Sequence, residues 1–172
     1  AALEIGRIYG ANMIATTRYE YNRTYLMASG ANHVFVTGGD NLASALDEFT
    51  GGRGIDAAFD PVGAGMIDQY SPALAKGATI FFYGTLDGSF PQLPLVDMFQ
   101  ANATFHPYSL FNYVEDPDMV KRGISFVNQA LDQGKIASRI DRVYPMEKYR
   151  DAWDYLQAPR TIHGKVVIET GL

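Results

Sequence analysis

The sequence predicts an α/β protein built on a doubly wound parallel sheet. Helical and strand-like segments alternate along the first half of the chain, with connections of only a few residues between them. The strand-like segments are apolar on both faces, which is typical of parallel strands covered by helices on each side. At 172 residues the chain is long enough for one ordinary globular domain with a hydrophobic core.

The elements follow from their periodicity and from the glycines that end them. Helical spacing at the start of the chain ends near Gly10. The predicted strands are 13–17, 34–37, 55–59, 78–83, 103–108 and 165–169. The predicted helices between and after them are 20–29, 41–49, 66–75, 118–133 and 147–156. Because the sequence starts inside a helical pattern and without a methionine, we expect it to be part of a longer protein.

Composition excludes several classes of function. The net charge is −5 and the basic residues are scattered, which argues against a nucleic-acid partner. No apolar stretch approaches the roughly 18 residues of a membrane span, so we expect a soluble, cytoplasmic protein. The chain contains no cysteine, which excludes disulfides, cysteine nucleophiles and thiolate zinc sites. The three histidines are far apart and predict no metal site.

Ligands of an open parallel sheet bind beyond the carboxyl ends of its strands, where glycine lets the backbone approach closely. The segments at those places are Thr17-Arg18, Thr37-Gly38, Asp60 to Gly63, Gly84-Thr85 and Ser109 to Phe111. Ordinary strand-end turns would have a similar composition, and this alternative stays open.

Thr17 and Arg18 are the most informative of these residues. Folds that take NAD usually place a carboxylate at the end of the second strand, where it binds the adenosine ribose. A carboxylate would repel the extra phosphate of NADPH, whereas a guanidinium and a hydroxyl can bind it. The sequence therefore favours NADPH, although an arginine that merely opens a helix in solvent is an alternative.

Five segments together resemble the medium-chain dehydrogenase/reductase superfamily, and within it the NADPH:quinone oxidoreductases and their enoyl-reductase-like relatives. They are residues 13–18, 29–34, 59–63, 82–84 and 163–167. The resemblance covers essentially the whole chain and implies a Rossmann-like fold. It also implies that the first strand and the glycine-rich turn are missing before Ala1, together with the preceding substrate domain. We expect two half-sheets, and a missing strand supplied by other residues, a partner chain or a rearrangement.

The resemblance assigns 1–135 to a dinucleotide-binding domain and 136–172 to a segment that returns to the substrate domain. It places Thr17, Arg18 and Asn22 beside the adenosine phosphate of NADPH, with Thr37 and Arg160 at the same pocket. Asn22 stands where a lysine is frequent, and Thr37 where a tyrosine sometimes occurs. The remaining implied contacts are Pro61, Val62 and Gly63 for the adenosine ribose, Gly84, Thr85 and Leu86 near the nicotinamide, and Leu110 and Phe111 for its carboxamide.

The implied reaction is hydride transfer from NADPH to a small-molecule substrate, a quinone or an α,β-unsaturated carbonyl compound, without zinc. The sequence indicates no catalytic residue: we interpret Tyr83 and Tyr108 as packing residues and His106 as a strand residue. The resemblance also implies a homodimer through the 103–108 edge strand. A non-catalytic NADPH sensor or scaffold is the main alternative. A methyltransferase that binds S-adenosylmethionine is disfavoured by Arg18.

Overall fold

The structure is a computed structural model that describes residues 1–38, 41–158 and 164–171. The chain divides into two compact units, each of which is described by itself. The first unit combines residues from 1–36 and 122–172, and the second contains residues 37–121.

The first unit contains two parallel strand pairs. Its N-terminal elements are α1 (Ala2–Ile8), β1 (Ile14–Thr17), a 3-10 turn (Glu20–Asn22), α2 (Arg23–Ala28) and β2 (His33–Val36). Its C-terminal elements are β6 (Ile140–Pro145), a 3-10 turn (Met146–Lys148), α8 (Tyr149–Gln157) and β7 (Lys165–Glu169). β1 pairs with β2, and β6 pairs with β7. Val34 is almost fully buried, and the Asn32 side chain accepts a hydrogen bond from Met13 N at 2.8 Å, which fixes the start of the β1–β2 pair.

The second unit is built on a three-stranded parallel sheet in the order β3-β4-β5. Its elements are α3 (Leu42–Phe49), β3 (Ile55–Asp60), α4 (Ala64–Tyr70), a 3-10 turn (Ser71–Ala73), β4 (Leu74–Phe82), α5 (Leu95–Ala101), β5 (Thr104–Pro107) and α6 (Phe111–Val114). The helix α7 (Pro117–Asp132) follows. Ile67 and Ile80 are fully buried and form the centre of the core with Ala58, Ala78 and Leu46. Because the strands are parallel, their carboxyl ends lie at the same edge of this sheet.

The predicted α/β class and the parallel strands are confirmed. The predicted half-sheets are also observed: among the described residues β1 pairs only with β2, and β3 only with β4. β5 is an edge strand of its sheet, as expected for the 103–108 segment. The dimer through that edge and the source of the missing strand stay predictions.

The predicted helix over 66–75 is wrong at its end. The α-helix stops at Tyr70, a 3-10 turn containing Pro72 follows, and Leu74 already begins β4. Proline has no N–H to continue the helical ladder, so the apolar residues behind it join the strand. Short elements were missed as well: α5, α6 and β6 had no counterpart in the prediction.

We predict that Ile80→Ala lowers the free energy of unfolding by about 2–5 kcal/mol, because it leaves a cavity in the centre of the β3-β4-β5 core. Urea unfolding followed by circular dichroism measures this change. Phe90→Ala is the matched control: Phe90 is 84% exposed, so its loss should change stability by no more than about 0.5 kcal/mol. Equal effects of the two variants would contradict this description of the core.

Candidate functional site

The loop after β1 is organised around the hydroxyl of Thr17. Thr17 Oγ1 accepts hydrogen bonds from Asn22 Nδ2 at 2.9 Å and from Tyr19 N at 3.3 Å. It also lies 3.4 Å from the carbonyl oxygen of Tyr19, to which it can donate. The backbone N–H of Asn22 donates to the same carbonyl at 3.1 Å. These bonds tie residues 17–22 into one closed loop at the end of the strand.

Asn22 is left with an unused acceptor. Its Nδ2 donates to Thr17, whereas its Oδ1 is buried and has no hydrogen-bond partner among the described residues. An unsatisfied buried acceptor costs on the order of 1–3 kcal/mol. As placed, this oxygen is not accessible from solvent, and the Asn22 amide nitrogen is bonded to Thr17. The contact of Asn22 with the adenosine phosphate stays a prediction.

The two arginines of this loop have different surroundings. Arg23 makes two hydrogen bonds to the carboxylate of Glu20 and donates a third to the Val34 carbonyl. The hydrogen bonds with Glu20 raise the pKa of Arg23 and lower that of Glu20. Arg18 is exposed, and no ion pair involves it in the part of the chain that the structure describes. Arg18 therefore carries the uncompensated positive charge at the end of β1.

Asp60 holds the turn that follows β3. Its carboxylate is 3% exposed and accepts hydrogen bonds from Val62 N at 2.7 Å, Gly63 N at 3.3 Å and the Tyr70 hydroxyl at 3.1 Å. Burial, and then the charge of Asp60, raise the pKa of Tyr70, so its hydroxyl stays protonated and able to donate. A buried carboxylate needs such donors, and here they fix the backbone of the turn.

The loop after β4 packs directly onto that turn. Leu86 N donates to the Pro61 carbonyl at 3.0 Å, and Asp87 N donates to the Val62 carbonyl at 3.1 Å. The Asp87 carboxylate accepts from Gly65 N at 3.0 Å and from Ser89 N at 3.1 Å. These two backbone hydrogen bonds, that of Gly65 first, lower the pKa of Asp87.

Two of the glycines that were predicted to contact the cofactor are also required by the packing of these two loops. A Cβ on Gly84 would lie 2.8 Å from the Pro61 carbonyl oxygen. A Cβ on Gly63 would lie 2.9 Å from the Asp87 carboxylate, and Gly63 has a φ of +114°, which side chains rarely adopt. The close approach of the two loops therefore requires both glycines. Their predicted contacts with the cofactor stay predictions.

The aromatic residues at these strand ends pack against one another. The Tyr83 ring stacks on Phe59 with centroids 4.2 Å apart, and Tyr108 meets Phe59 edge-on at 6.3 Å. His106 lies within β5 with its ring 5.6 Å from that of Phe81. These contacts agree with the predicted packing and strand roles. Burial, followed by the nearby charge of Asp60, raises the pKa of Tyr83.

The predicted site residues therefore fall into several places. Thr17, Arg18 and Asn22 share the loop after β1, and residues 61–63 and 84–86 share the two packed loops of the second unit. Thr37 directly follows β2, and the exposed Leu110 and Phe111 begin α6. Arg160 lies outside the described residues. Asp87 was missed, because its main partner Gly65 is 22 residues away and leaves no local pattern.

Two searches of the described residues gave negative results. No group of three histidine, cysteine, aspartate or glutamate side chains lies close enough to hold a metal ion. None of the helices is long and apolar enough to cross a membrane.

Residues 1–129 match the zinc-binding dehydrogenase family. The chain belongs to this family. The match confirms the resemblance to the medium-chain dehydrogenase/reductases, and it covers the second unit and the N-terminal segment of the first. The described residues of this member of the zinc-binding dehydrogenases offer no ligand set for zinc.

Individual relatives are more distant. A Schizosaccharomyces pombe protein named "Probable quinone oxidoreductase" is 23% identical over 162 residues, which are 94% of this chain and 48% of the relative. The 2-haloacrylate reductase of Burkholderia sp is 22% identical over 165 residues, which are 94% of this chain and 49% of the relative. The chain thus spans about half the length of the curated relatives it matches.

Solved structures share the fold. A crystal structure of 2-haloacrylate reductase matches this chain with a TM-score of 0.90 and 21% sequence identity. The match covers 99% of this chain and 53% of the reductase chain. Escherichia coli quinone oxidoreductase, solved with NADPH, has a TM-score of 0.79 and 20% identity, covering 90% of this chain and 48% of its own. These similarities confirm the Rossmann-like fold.

We predict that the amide signals of Gly65 and Ser89 titrate with the Asp87 carboxylate. The hydrogen bonds stabilise its charged form, so they persist above the unfolded pKa of about 3.9 and are lost as the pH falls through a lower folded value. Amide chemical shifts measured by NMR against pH should show this low midpoint.

Asp87→Asn should abolish that titration, because the amide side chain does not ionise. The matched control is Asp68→Asn, which changes an exposed aspartate on α4. The control should leave the midpoint unchanged. A midpoint at or above the unfolded value would contradict the assigned role of Asp87.

Proposed function

We propose that this chain is the dinucleotide-binding part of an NADPH-dependent oxidoreductase of the quinone oxidoreductase type. The observation that carries the proposal is the exposed Arg18 at the carboxyl end of β1, in a member of a dehydrogenase family with a Rossmann-like fold. The carboxyl ends of parallel strands are where such folds bind dinucleotides.

The charges around Arg18 favour a phosphate. The nearest acidic side chain in the loop, Glu20, is bonded to Arg23, so that its charge is already compensated. An exposed guanidinium beside a compensated carboxylate can form charge-assisted hydrogen bonds to the adenosine phosphate of NADPH. The ribose of NAD would find no free carboxylate of the kind that usually binds its hydroxyls.

The reaction is proposed from the relatives. When bound, NADPH would supply a hydride, and this chain would bind and orient it. The relatives named as quinone oxidoreductases support a quinone as the hydride acceptor. The 2-haloacrylate reductase supports an α,β-unsaturated carbonyl compound, because a haloacrylate has a C=C bond conjugated to its carboxyl group. The similarity to quinone oxidoreductases supports the zinc-independent branch. A homodimer through β5 and a cytoplasmic location complete the proposal for the whole protein.

We predict that the chain binds NADPH more tightly than NADH, and that Arg18→Ala weakens NADPH binding by roughly 10- to 100-fold. A hydrogen bond to a charged group contributes about 1.5–3 kcal/mol, which corresponds to that range. NADH binding should change less than about threefold. Titration of each nucleotide, followed by its nicotinamide fluorescence, measures both affinities.

Arg150→Ala is the matched control for this experiment. The Arg150 guanidinium lies 5.6 Å from the ring of its neighbour Tyr149, and the Arg18 guanidinium lies at a similar distance, 5.7 Å, from the ring of Tyr19. Arg150, however, is in α8 and not at the end of a strand. The control should bind NADPH as the unmodified chain does. Preference for NADH, equal loss of both nucleotides in Arg18→Ala, or no binding at all would each contradict the proposal.

A further inference from the structure

A buried tyrosine at the end of α4 lies outside all the contacts implied for the cofactor. Tyr70 is the last residue of that helix and is 4% exposed. Its hydroxyl donates to Asp60 Oδ2 at 3.1 Å. The backbone amides of Val62 and Gly63 donate to Oδ1, the other oxygen of the same carboxylate. The tyrosine therefore binds the oxygen that the turn after β3 does not use.

The turn after β3 is held from both ends of α4. The helix begins at Ala64, directly after the turn, and Tyr70 at its last position reaches back to the carboxylate that precedes the turn. The carbonyl of Gly63 accepts hydrogen bonds from the amides of Met66 and Ile67 at 3.0 Å. The start of the helix thus fixes one side of the turn, and the Tyr70 hydroxyl acts on the other side.

The Tyr70 hydroxyl acts on the orientation of the Asp60 carboxylate. The terminal torsion of an aspartate is broad, and rotation about it would carry Oδ1 away from the two backbone amides. A donor bonded to Oδ2 opposes that rotation. Burial, and then the charge of Asp60, raise the pKa of Tyr70, so the hydroxyl keeps its proton and remains a donor. Tyr70 therefore fixes the orientation in which Asp60 binds the turn.

The position of the loop after β4 depends on the same turn. The Pro61 and Val62 carbonyls accept the amides of Leu86 and Asp87 at 3.0 and 3.1 Å. A displacement of the turn would therefore displace this loop as well. These are the two segments of the second unit to which the predicted contacts with the ribose and the nicotinamide belong.

We propose that Tyr70 is a positioning residue for nucleotide binding: it touches no part of NADPH and holds Asp60 so that residues 61–63 and 84–86 are ordered before the nucleotide arrives. The inference rests on the proposed function and extends it to a residue outside the strand-end loops. A segment that is ordered in advance loses less conformational entropy on binding. The cost of ordering it during binding corresponds to roughly 2- to 12-fold in affinity.

The test compares Tyr70→Phe with Ser71→Ala in the full chain. Ser71 is 2% exposed, and its hydroxyl donates to the carboxylate of Asp97 on α5, which lies outside the turn. Each substitution removes one buried hydroxyl that is bonded to a carboxylate. Each should therefore lower the midpoint of thermal unfolding, Tm, by roughly 3–12 °C. The pair separates a loss of stability from a loss of positioning.

Nucleotide affinity is measured at a temperature at which both variants are folded. Tyr70→Phe should weaken NADPH and NADH by the same factor, roughly 2- to 12-fold, because the ribose and the nicotinamide are common to both nucleotides. Ser71→Ala should bind both nucleotides as the unmodified chain does. Titrations followed by nicotinamide fluorescence give these affinities.

Amide NMR without nucleotide reports on the positioning directly. In Tyr70→Phe the amide proton signals of Val62 and Gly63 should move upfield and exchange faster with solvent, because their hydrogen bonds to Asp60 weaken. In Ser71→Ala both signals should stay where they are in the unmodified chain. A role of Tyr70 in stability alone would not separate the two variants in this way.

Several outcomes would overturn the inference. Equal nucleotide affinities in the two variants, unmoved turn amides in Tyr70→Phe, or a fall in Tm far beyond that of Ser71→Ala would each reduce Tyr70 to a residue of the core. A loss confined to NADPH would place the effect at the phosphate and not at the turn. Equal affinity of the unmodified chain for NADPH and NADH, with Tyr70→Phe weakening both, would refute the proposed function and leave the positioning role. No binding by the unmodified chain would overturn both.

Discussion

The loops at the strand ends of the second unit depend on the buried carboxylate of Asp60. A charged group that is 3% exposed is strongly unfavourable unless it is hydrogen-bonded, and two backbone amides with the Tyr70 hydroxyl supply the donors. Those amides belong to the turn after β3, and the carbonyls of that turn accept the amides of the loop after β4. The order of both loops thus follows from the need to satisfy one buried charge.

The loop after β1 is built differently, around a neutral hydroxyl. Thr17 closes it by hydrogen bonds, and its acidic residue, Glu20, is bonded to Arg23. In the second unit, Asp87 is likewise satisfied by backbone amides. The acidic side chains at these strand ends are therefore occupied by contacts within the chain. Arg18 contacts the ring of Tyr19, but it pairs with no acidic side chain among the described residues, and this difference gives the end of β1 its positive character.

Much of the fold follows from the sequence because long periodic segments determine it. The strand–helix alternation needs only local apolar patterns, and Arg18 could be located because it directly follows a strand. The end of α4, the short helix α5 and the strand β6 could not, since turns and tertiary pairing decide them. Asp87 was missed for a related reason: its role depends on a partner, Gly65, that the loop geometry brings near. Gly63 and Gly84 were predicted from their positions after strands as cofactor contacts, which stay predictions, and the loop contact that requires a glycine at each is visible only in the structure.

The contribution of Arg18 to recognition at the end of β1 would depend on the solvent around it. An exposed guanidinium is screened by salt over about 8 Å at physiological ionic strength, so its contribution to phosphate binding falls as salt rises. The phosphate is the group that distinguishes NADPH from NADH, and the remaining contacts of a dinucleotide are common to both. A change at Arg18 would thus alter the preference between the two nucleotides while leaving much of the affinity that they share.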